Sequence, residues 1–205
     1  MVSGVLGGFC SVAAVARRGE TIENPVTGER ITWIETAQSS GGELLAFDLY
    51  LRHGAAVAAA HRHVRQEELF EVHSGTVGFE VAGAVRTVSQ GDEVTVPIGD
   101  VHRWWNGGQD EVRVRVELRP ALDTETFFEG FFGLARDGKT NAKGIPGLLQ
   151  IAVALRELGD SCPQLAKPPP GVQRAVFTVL APFGRLVGRR AVYPKYSPSH
   201  QSLAH

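Results

Sequence analysis

Two segments decide the fold of this chain: GAAVAAAHRHVRQEELFEVHSG (residues 54–75) and GDEVTVPIGDVHRWWN (residues 91–106). In the first, a His-x-His pair is followed by a short polar turn and then by an apolar run. In the second, a Pro-x-Gly turn comes just before a third histidine. Gly54 and Gly75 bound the first segment and Gly91 begins the second, and glycine at such points is typical of short strands joined by tight turns.

Four side chains in these segments are typical metal ligands: His61, His63, Glu68 and His102. Because side chains alternate along a strand, the rings of His61 and His63 point to the same face. Three imidazoles and one carboxylate suit a divalent first-row metal such as iron, manganese, nickel, cobalt or zinc. The sequence therefore predicts one divalent metal ion per chain. Positions left open on the ion could take water, dioxygen or a chelating substrate.

The two segments resemble the paired motifs of the cupin superfamily. The second segment matches the family pattern at every fixed position from Gly91 to Asn106. The first departs from it only in the Gly54–His61 gap, where six residues stand in place of the commoner five. The resemblance covers residues 40–120. It implies a small antiparallel β-barrel of jelly-roll type in which His61, His63, Glu68 and His102 hold the metal.

Strand and helix patterns along the rest of the chain agree with an all-β barrel followed by about three C-terminal helices. The predicted strands are 31–36, 43–51, 57–63, 68–75, 76–83, 84–92, 93–97, 102–106 and 111–120. The predicted helices are 123–136, 148–159 and 172–190, the last interrupted by Pro182. We therefore expect a flexible N-terminus (1–19), a barrel (20–120) and a helical extension (121–205) packed on the barrel or at a dimer interface.

The overall composition is that of an ordinary soluble globular chain. It is 43% hydrophobic and 21% charged, with a formal net charge of -1, which argues against a nucleic-acid partner. Cys10 and Cys162 form no CxxC pattern, so we expect a cytoplasmic protein. The apolar run 1–16 could be a signal peptide, but no basic residue precedes it.

The C-terminal segment has a marked charge bias. Residues 161–205 contain no Asp or Glu and carry six basic residues: Lys167, Arg174, Arg185, Arg189, Arg190 and Lys195. This segment could rest on an anionic membrane surface. A docked helix with its arginines in solvent is the favoured interpretation. The Phe-rich face of the helix at 123–136, which is expected to pack on the barrel, could instead be the surface of a homodimer.

Strand parity sorts the remaining candidates. Phe70 shares the face of Glu68, whereas His73 points away and is not expected to be a fifth ligand. Four aromatic residues are candidates to line a substrate cavity: Tyr50, Phe70, Phe79 and Trp104. The predicted strand 111–120 carries a row of charged residues, which we expect to face solvent: Arg113, Arg115, Glu117 and Arg119. Alternatively, this row could line the barrel mouth and bind an anionic group.

The resemblance leaves more than one reaction open. We expect a mononuclear, dioxygenase-like oxidoreductase that acts on a small apolar or aromatic molecule, with iron as the metal and Glu68 also serving as a base. The same ligands would serve a non-redox isomerase, decarboxylase or lyase. They would equally serve a small-molecule-binding protein with a structural metal. Fold alone does not separate these classes.

Overall fold

The computed structural model describes residues 16–56 and 59–196. Within them the chain forms eleven strands and three α-helices. The strands are β1 (Thr21–Asn24), β2 (Glu29–Glu35), β3 (Leu45–Leu51), β4 (His61–Arg62), β5 (Glu67–Ser74), β6 (Thr76–Val81), β7 (Ala84–Ser89), β8 (Glu93–Val96), β9 (His102–Asn106), β10 (Val112–Arg119) and β11 (Gln164–Leu165). The helices are α1 (Thr124–Arg136), α2 (Leu148–Leu158) and α3 (Pro170–Leu186).

The strands make two antiparallel sheets, as the jelly-roll prediction requires. The order is β1-β2-β3-β10-β5-β8 in the six-stranded sheet and β11-β4-β9-β6-β7 in the five-stranded sheet. Among the described residues no strand pairing joins the edges of the two sheets. The barrel is therefore not closed.

Alternation along the strands builds the core between the sheets. In β10 the valines and Leu118 are buried, while the charged residues between them face outward. Phe70 of the larger sheet meets Phe79 and Trp104 of the smaller sheet at ring-centroid distances of 5.0 and 5.3 Å. Each large apolar side chain buried in this way contributes roughly 1.5–3 kcal/mol.

The first ligand strand is shorter than predicted. The sequence predicts a strand over 57–63, whereas β4 contains only His61 and Arg62, and residues 57 and 58 lie outside the described residues. Alanine has little side chain to pack on a pleated sheet, so the Ala59–Ala60 approach gains little from strand pairing. Before β4, at Ala56, the chain forms one isolated antiparallel bridge, with Trp105 of β9.

The three predicted helices are present with small shifts in their ends. Asp123 is the N-cap of α1, and Gly159 follows the last turn of α2. Helix α3 begins earlier than predicted, at Pro170, because proline is well suited to the first helical turn. Pro182 lies inside α3, which ends at Leu186. Over the described residues, none of the helices is both long enough and apolar enough to cross a membrane.

Helix α1 packs against the barrel through its aromatic face. The ring of Phe128 lies 5.4 Å from Phe47 and 6.5 Å from Trp33, centroid to centroid. The Glu125 carboxylate accepts a hydrogen bond from the Ala37 amide at 3.0 Å. The predicted flexible start and the possible signal peptide fall mainly on residues 1–15, outside the described residues. Ala16 is buried in the barrel core.

Candidate metal centre and its chamber

The four predicted ligands come together in one buried cluster. His61 belongs to β4, His63 follows it, Glu68 lies on β5 and His102 begins β9. One ligand atom from each of the four lies within 4.8 Å of the others. All four residues are buried. Strands from both sheets thus converge on a single point.

Backbone carbonyls orient two of the imidazole rings. His61 Nδ1 lies 2.9 Å from the Ala59 carbonyl oxygen, and His102 Nδ1 lies 3.2 Å from that of Asp100. Because a carbonyl oxygen only accepts, each Nδ1 must carry the proton. Each Nε2 is then free to present its lone pair to the cluster.

The centre of the cluster holds polar atoms that lack a hydrogen-bond partner. His102 Nε2 and His63 Nε2 lie 2.9 and 3.4 Å from Glu68 Oε2. Among the described residues, neither His102 Nε2 nor Glu68 Oε2 makes a hydrogen bond of acceptable geometry. Lone pairs of a neutral imidazole and a carboxylate repel one another unless a cation lies between them. The donor set therefore fits a metal ion.

Electrostatics favour the protonation states that metal binding needs at His61 and Glu68, whereas His102 would have to release a proton to the solvent when the ion binds. Burial, followed by the charge of His102, lowers the pKa of His61 to about 4. Burial raises the pKa of Glu68, but the imidazoles of His63 and His102 close to its carboxylate outweigh this effect and hold the pKa well below its usual value. Burial lowers the pKa of His102, but Glu68 more than offsets this and the net shift is upward. The cluster thus has an ionised carboxylate that attracts positive charge.

Contacts at both ends of β9 fix the position of this strand, which carries His102. Gly99 has a φ of +88°, a conformation that suits glycine, and its amide donates to the His63 carbonyl at 2.8 Å. At the far end of β9, the Asn106 side-chain amide donates to the carbonyl oxygens of Leu51 (2.9 Å) and Asp110 (2.8 Å). The strand that carries His102 is therefore fixed at both ends.

The cluster opens onto an apolar chamber of about 330 Å³. One half of its wall is the barrel interior, where Phe47, Leu49, Trp104, Val116 and Leu118 line the space beside His61, His63 and Glu68. The other half comes from the helical extension through Phe127, Phe128, Phe131, Phe132, Ile151 and Leu155. Polar residues lie elsewhere along the lining, including Glu29 and Lys143. A small apolar chamber with a few polar groups is typical of a small-molecule site.

The aromatic residues predicted to line the cavity occupy three different environments. Trp104 lines the chamber. Phe70 and Phe79 are fully buried and pack against Trp104 from behind, outside the chamber lining. Tyr50 lies on the outer face of the larger sheet, with Arg30 over its ring at 5.0 Å. The structure therefore brings Trp104 to the chamber and leaves Tyr50 away from it.

The outer face of the larger sheet also holds the charged row of β10. Arg113 Nη2 and Arg115 Nε lie 2.6 and 2.7 Å from the carboxylate of Asp48 on β3. None of the four residues of this row lines the chamber, and their outward position agrees with the expectation that the row faces solvent. His73 points outward as predicted, with its Nε2 3.2 Å from Glu71 Oε2.

Helical residues of the chamber were not predicted as site residues. The sequence showed an apolar phenylalanine face on α1, which predicted packing on the barrel. That face does pack on the barrel, but it also lines the chamber. Which phenylalanines border empty space depends on how helix and barrel fit together, and spacing alone does not reveal it.

Comparison with known proteins gives a family and two curated relatives. A family model described as a cupin domain matches residues 48–118. The probable oxidoreductase virH of Hypocrea virens is 30% identical over 159 residues, covering 71% of this chain and 70% of the relative. The probable oxidoreductase patJ of Aspergillus clavatus is 31% identical over 101 residues, covering 45% of this chain and 31% of the relative.

Solved structures with a similar arrangement of strands share little sequence with this chain. One is a predicted oxalate decarboxylase from Thermotoga maritima, with 19% identity and a TM-score of 0.44. The alignment covers 52% of this chain and 98% of that protein.

Proposed function

The chain belongs to the cupin superfamily, and from that membership we propose that it is a mononuclear metal-dependent oxidoreductase acting on a small apolar or aromatic molecule. The observation that carries this proposal is the position of the four-ligand cluster on the wall of an apolar chamber. A metal that only stabilised the fold would need no such space beside it. Two relatives named probable oxidoreductases favour redox chemistry over the isomerase, decarboxylase or lyase alternatives.

Iron is the metal we propose, held by His61, His63, Glu68 and His102. Imidazole and carboxylate ligands with open coordination positions suit non-haem iron. When bound, iron(II) supplies the one-electron chemistry that lets dioxygen react with an organic substrate. The fixed Nδ1–H donors of His61 and His102 would hold their Nε2 atoms in place during metal binding.

Residues of the chain have separate roles in this proposal. Glu68 both faces the cluster and lines the chamber, so its carboxylate is positioned to accept a proton from a substrate hydroxyl. Trp104 and the phenylalanines of α1 would exclude water and pack against the flat or apolar body of the substrate. The barrel (20–120) and the extension (121–205) would then act as one unit, since each supplies half of the chamber.

We also propose that the protein forms a homodimer through α3. Five apolar residues of α3 follow one another at intervals of four, three, four and three residues: Val172, Val176, Val179, Phe183 and Leu186. They are 39–82% exposed. This is the spacing of a helix–helix seam. A second copy of the chain could cover it.

The charges on α3 favour a second copy over a membrane surface. At 3.6 residues per turn, Arg174 and Arg185 fall on the side of the helix away from the apolar stripe. Arg185 is also paired with Glu157 of α2 at 2.7 Å. A helix that lies on an anionic membrane has basic residues beside its apolar face. The cytoplasmic location stays a prediction from the sequence.

The test of the proposed reaction class is metal analysis on protein purified without chelator or nickel affinity. We expect about one iron per chain, by elemental analysis, and an anaerobic spectrum that changes when nitric oxide is added, because open positions on iron bind that gas. Zinc in place of iron, with no response to nitric oxide, would contradict the oxidoreductase and favour the non-redox alternatives.

A further inference from the structure

The turn between β4 and β5 carries a buried glutamine between two metal ligands. Gln66 lies between His63 and Glu68 in the chain and is 1% exposed. Its side-chain amide donates to the carbonyl oxygens of Pro120 (2.9 Å) and Ala121 (3.0 Å). The hydrogen-bond partners of this turn residue thus lie where the barrel ends and the helical extension begins.

A second set of contacts fixes that junction. Thr124 Oγ1, at the start of α1, lies 2.9 Å from Gln66 Nε2 and donates to the Ser161 carbonyl at 3.1 Å. Ser161 Oγ in turn accepts a hydrogen bond from the Asp123 amide at 3.1 Å. Both Thr124 and Ser161 are buried, so this network has little access to water that could replace its hydrogen bonds.

The extension also supports the strand that carries His61. Strand β11 pairs with β4, placing Leu165 opposite His61. The Arg62 guanidinium donates to the Gln164 side chain at 2.9 Å. On the other side of β4, the register with β9 consists of the single pair His61 and His102. A two-residue strand has few hydrogen bonds of its own, so β11 is a large share of its support.

We propose that the C-terminal extension is a working part of the metal centre, with Gln66 as a positioning residue for His63 and Glu68, and β11 as the support for His61. Metal ligands must be held in a narrow geometry, and loss of the residues that orient them typically weakens metal binding about 10–100-fold. This inference rests on the metal-binding part of the proposed function and not on the reaction.

The test is titration of the full metal-free chain with cobalt(II), recording both the dissociation constant and the visible spectrum of the bound ion. The variant is Gln66→Met, which keeps the size of the side chain and removes its hydrogen bonds. Gln150→Met is the matched control. Gln150 is also a buried glutamine, but it bonds to the Arg190 carbonyl and to Tyr193, at 2.7 Å each, inside the extension.

We expect Gln66→Met to weaken cobalt binding about 10–100-fold and to alter the spectrum. Gln150→Met should lower the melting temperature but leave the dissociation constant and spectrum unchanged. Unchanged cobalt binding in Gln66→Met, or equal weakening in both variants, would overturn the inference. A wild-type chain that binds no cobalt would overturn it together with the metal centre itself.

A second pair of variants keeps the test decisive if Gln66→Met does not fold. Thr124→Val removes one hydroxyl from a side chain of the same shape, and Thr124→Ser restores that hydroxyl. Cobalt binding should weaken in the valine variant and recover in the serine variant. Equal binding in the two would show that the Thr124 hydroxyl does not act on the ligands.

Discussion

Leu118 of β10 and Glu68 of β5 are register partners on neighbouring strands. The carboxylate of the metal cluster therefore shares a sheet face with the buried apolar row of β10, and the arginines of β10 face the other way. The cluster that contains Glu68 and the arginines of β10 thus lie on opposite faces of the same sheet. Side chains on the two faces can be changed independently, which makes controlled experiments possible.

Replacing a ligand should abolish metal binding, while replacing an outward histidine should not. His102→Ala removes a fully buried ligand, and we expect metal content to fall from about one ion per chain to a small fraction of it, measured by elemental analysis. His73→Ala is the control and should keep its metal, because His73 lies on the face of β5 opposite to Glu68. Retention of metal by His102→Ala would contradict the ligand assignment.

The ion pairs of Asp48 should make stability depend on pH in the acid range. Burial raises the pKa of Asp48, but hydrogen bonds from Arg115 and Arg113 outweigh it and lower the pKa below its usual value of 3.8. A lowered pKa in the folded state gives stability that is present above the unfolded-state pKa and is lost as the pH falls through the folded one. Asp48→Asn should cost about 1–2 kcal/mol at neutral pH.

Urea unfolding of wild type and Asp48→Asn between pH 3 and 7 measures this effect. The difference in unfolding free energy should shrink as the pH falls below about 4. Glu117→Gln, which disrupts a more exposed pair with Arg119, should change stability by less than about 0.5 kcal/mol. A difference for Asp48→Asn that stays constant across this pH range would be inconsistent with the ion pairs.

Filling the chamber should block an aromatic ligand without removing the metal. Val116 lines the chamber from the barrel side, so Val116→Phe places a ring in the space beside the cluster. We expect the fluorescent probe anilinonaphthalene sulfonate to bind at least about tenfold more weakly, since apolar contact supplies most of its affinity. Val85→Phe adds the same ring at an exposed position and should leave probe binding unchanged. Equal probe affinity in the two variants would argue against the chamber.

Two glycines of α1 should respond to alanine in opposite ways. A Cβ at Gly130 would meet only the Ala191 carbonyl oxygen at 3.7 Å, so Gly130→Ala should stabilise the protein by about 0.5–1 kcal/mol through helix propensity. A Cβ at Gly133 would overlap the ring of Tyr196, so Gly133→Ala should destabilise it by about 1–3 kcal/mol. Thermal unfolding measures both. The same sign for both variants would contradict the packing of Tyr196 on α1.

A charge in the apolar stripe of α3 should prevent dimer formation. We expect wild type to sediment as a dimer and Val179→Lys to sediment as a monomer, because a lysine in a helix–helix seam is buried without a partner. Thr178→Lys places the same charge on the exposed polar side of the helix and should remain dimeric. A monomeric wild type at micromolar concentration would exclude the proposed dimer.

The sequence predicted that His61, His63, Glu68 and His102 would come together, and the structure places them in one buried cluster. His61 and His63 share a face by strand parity, and the Pro-x-Gly turn determines where His102 begins its strand. The same parity places Tyr50 beside Asp48 on the outer face of β3, so the proposal that Tyr50 lines the cavity overlooked a signal that was present.

Other features depend on distant contacts that no local pattern reports. Strand β11 has only two residues, too few for alternation to show. The sequence around Gln66 predicts an ordinary polar turn residue. Its burial depends on hydrogen bonds to Pro120 and Ala121, which are distant in the chain. The chamber exists because α1 rests on the barrel without filling it, which depends on the shapes of many side chains at once.

The pairing of β11 with β4 also has a consequence for how the protein is made. A growing polypeptide has all four ligands once residue 102 has been synthesised, yet the strand beside His61 arrives more than sixty residues later. Because domains take shape as the chain leaves the ribosome, the four side chains lack this support until residues 164 and 165 have been synthesised. If the extension supports the proposed metal centre, a product that stops before β11 would carry His61, His63, Glu68 and His102 but bind the ion more weakly than the longer chain.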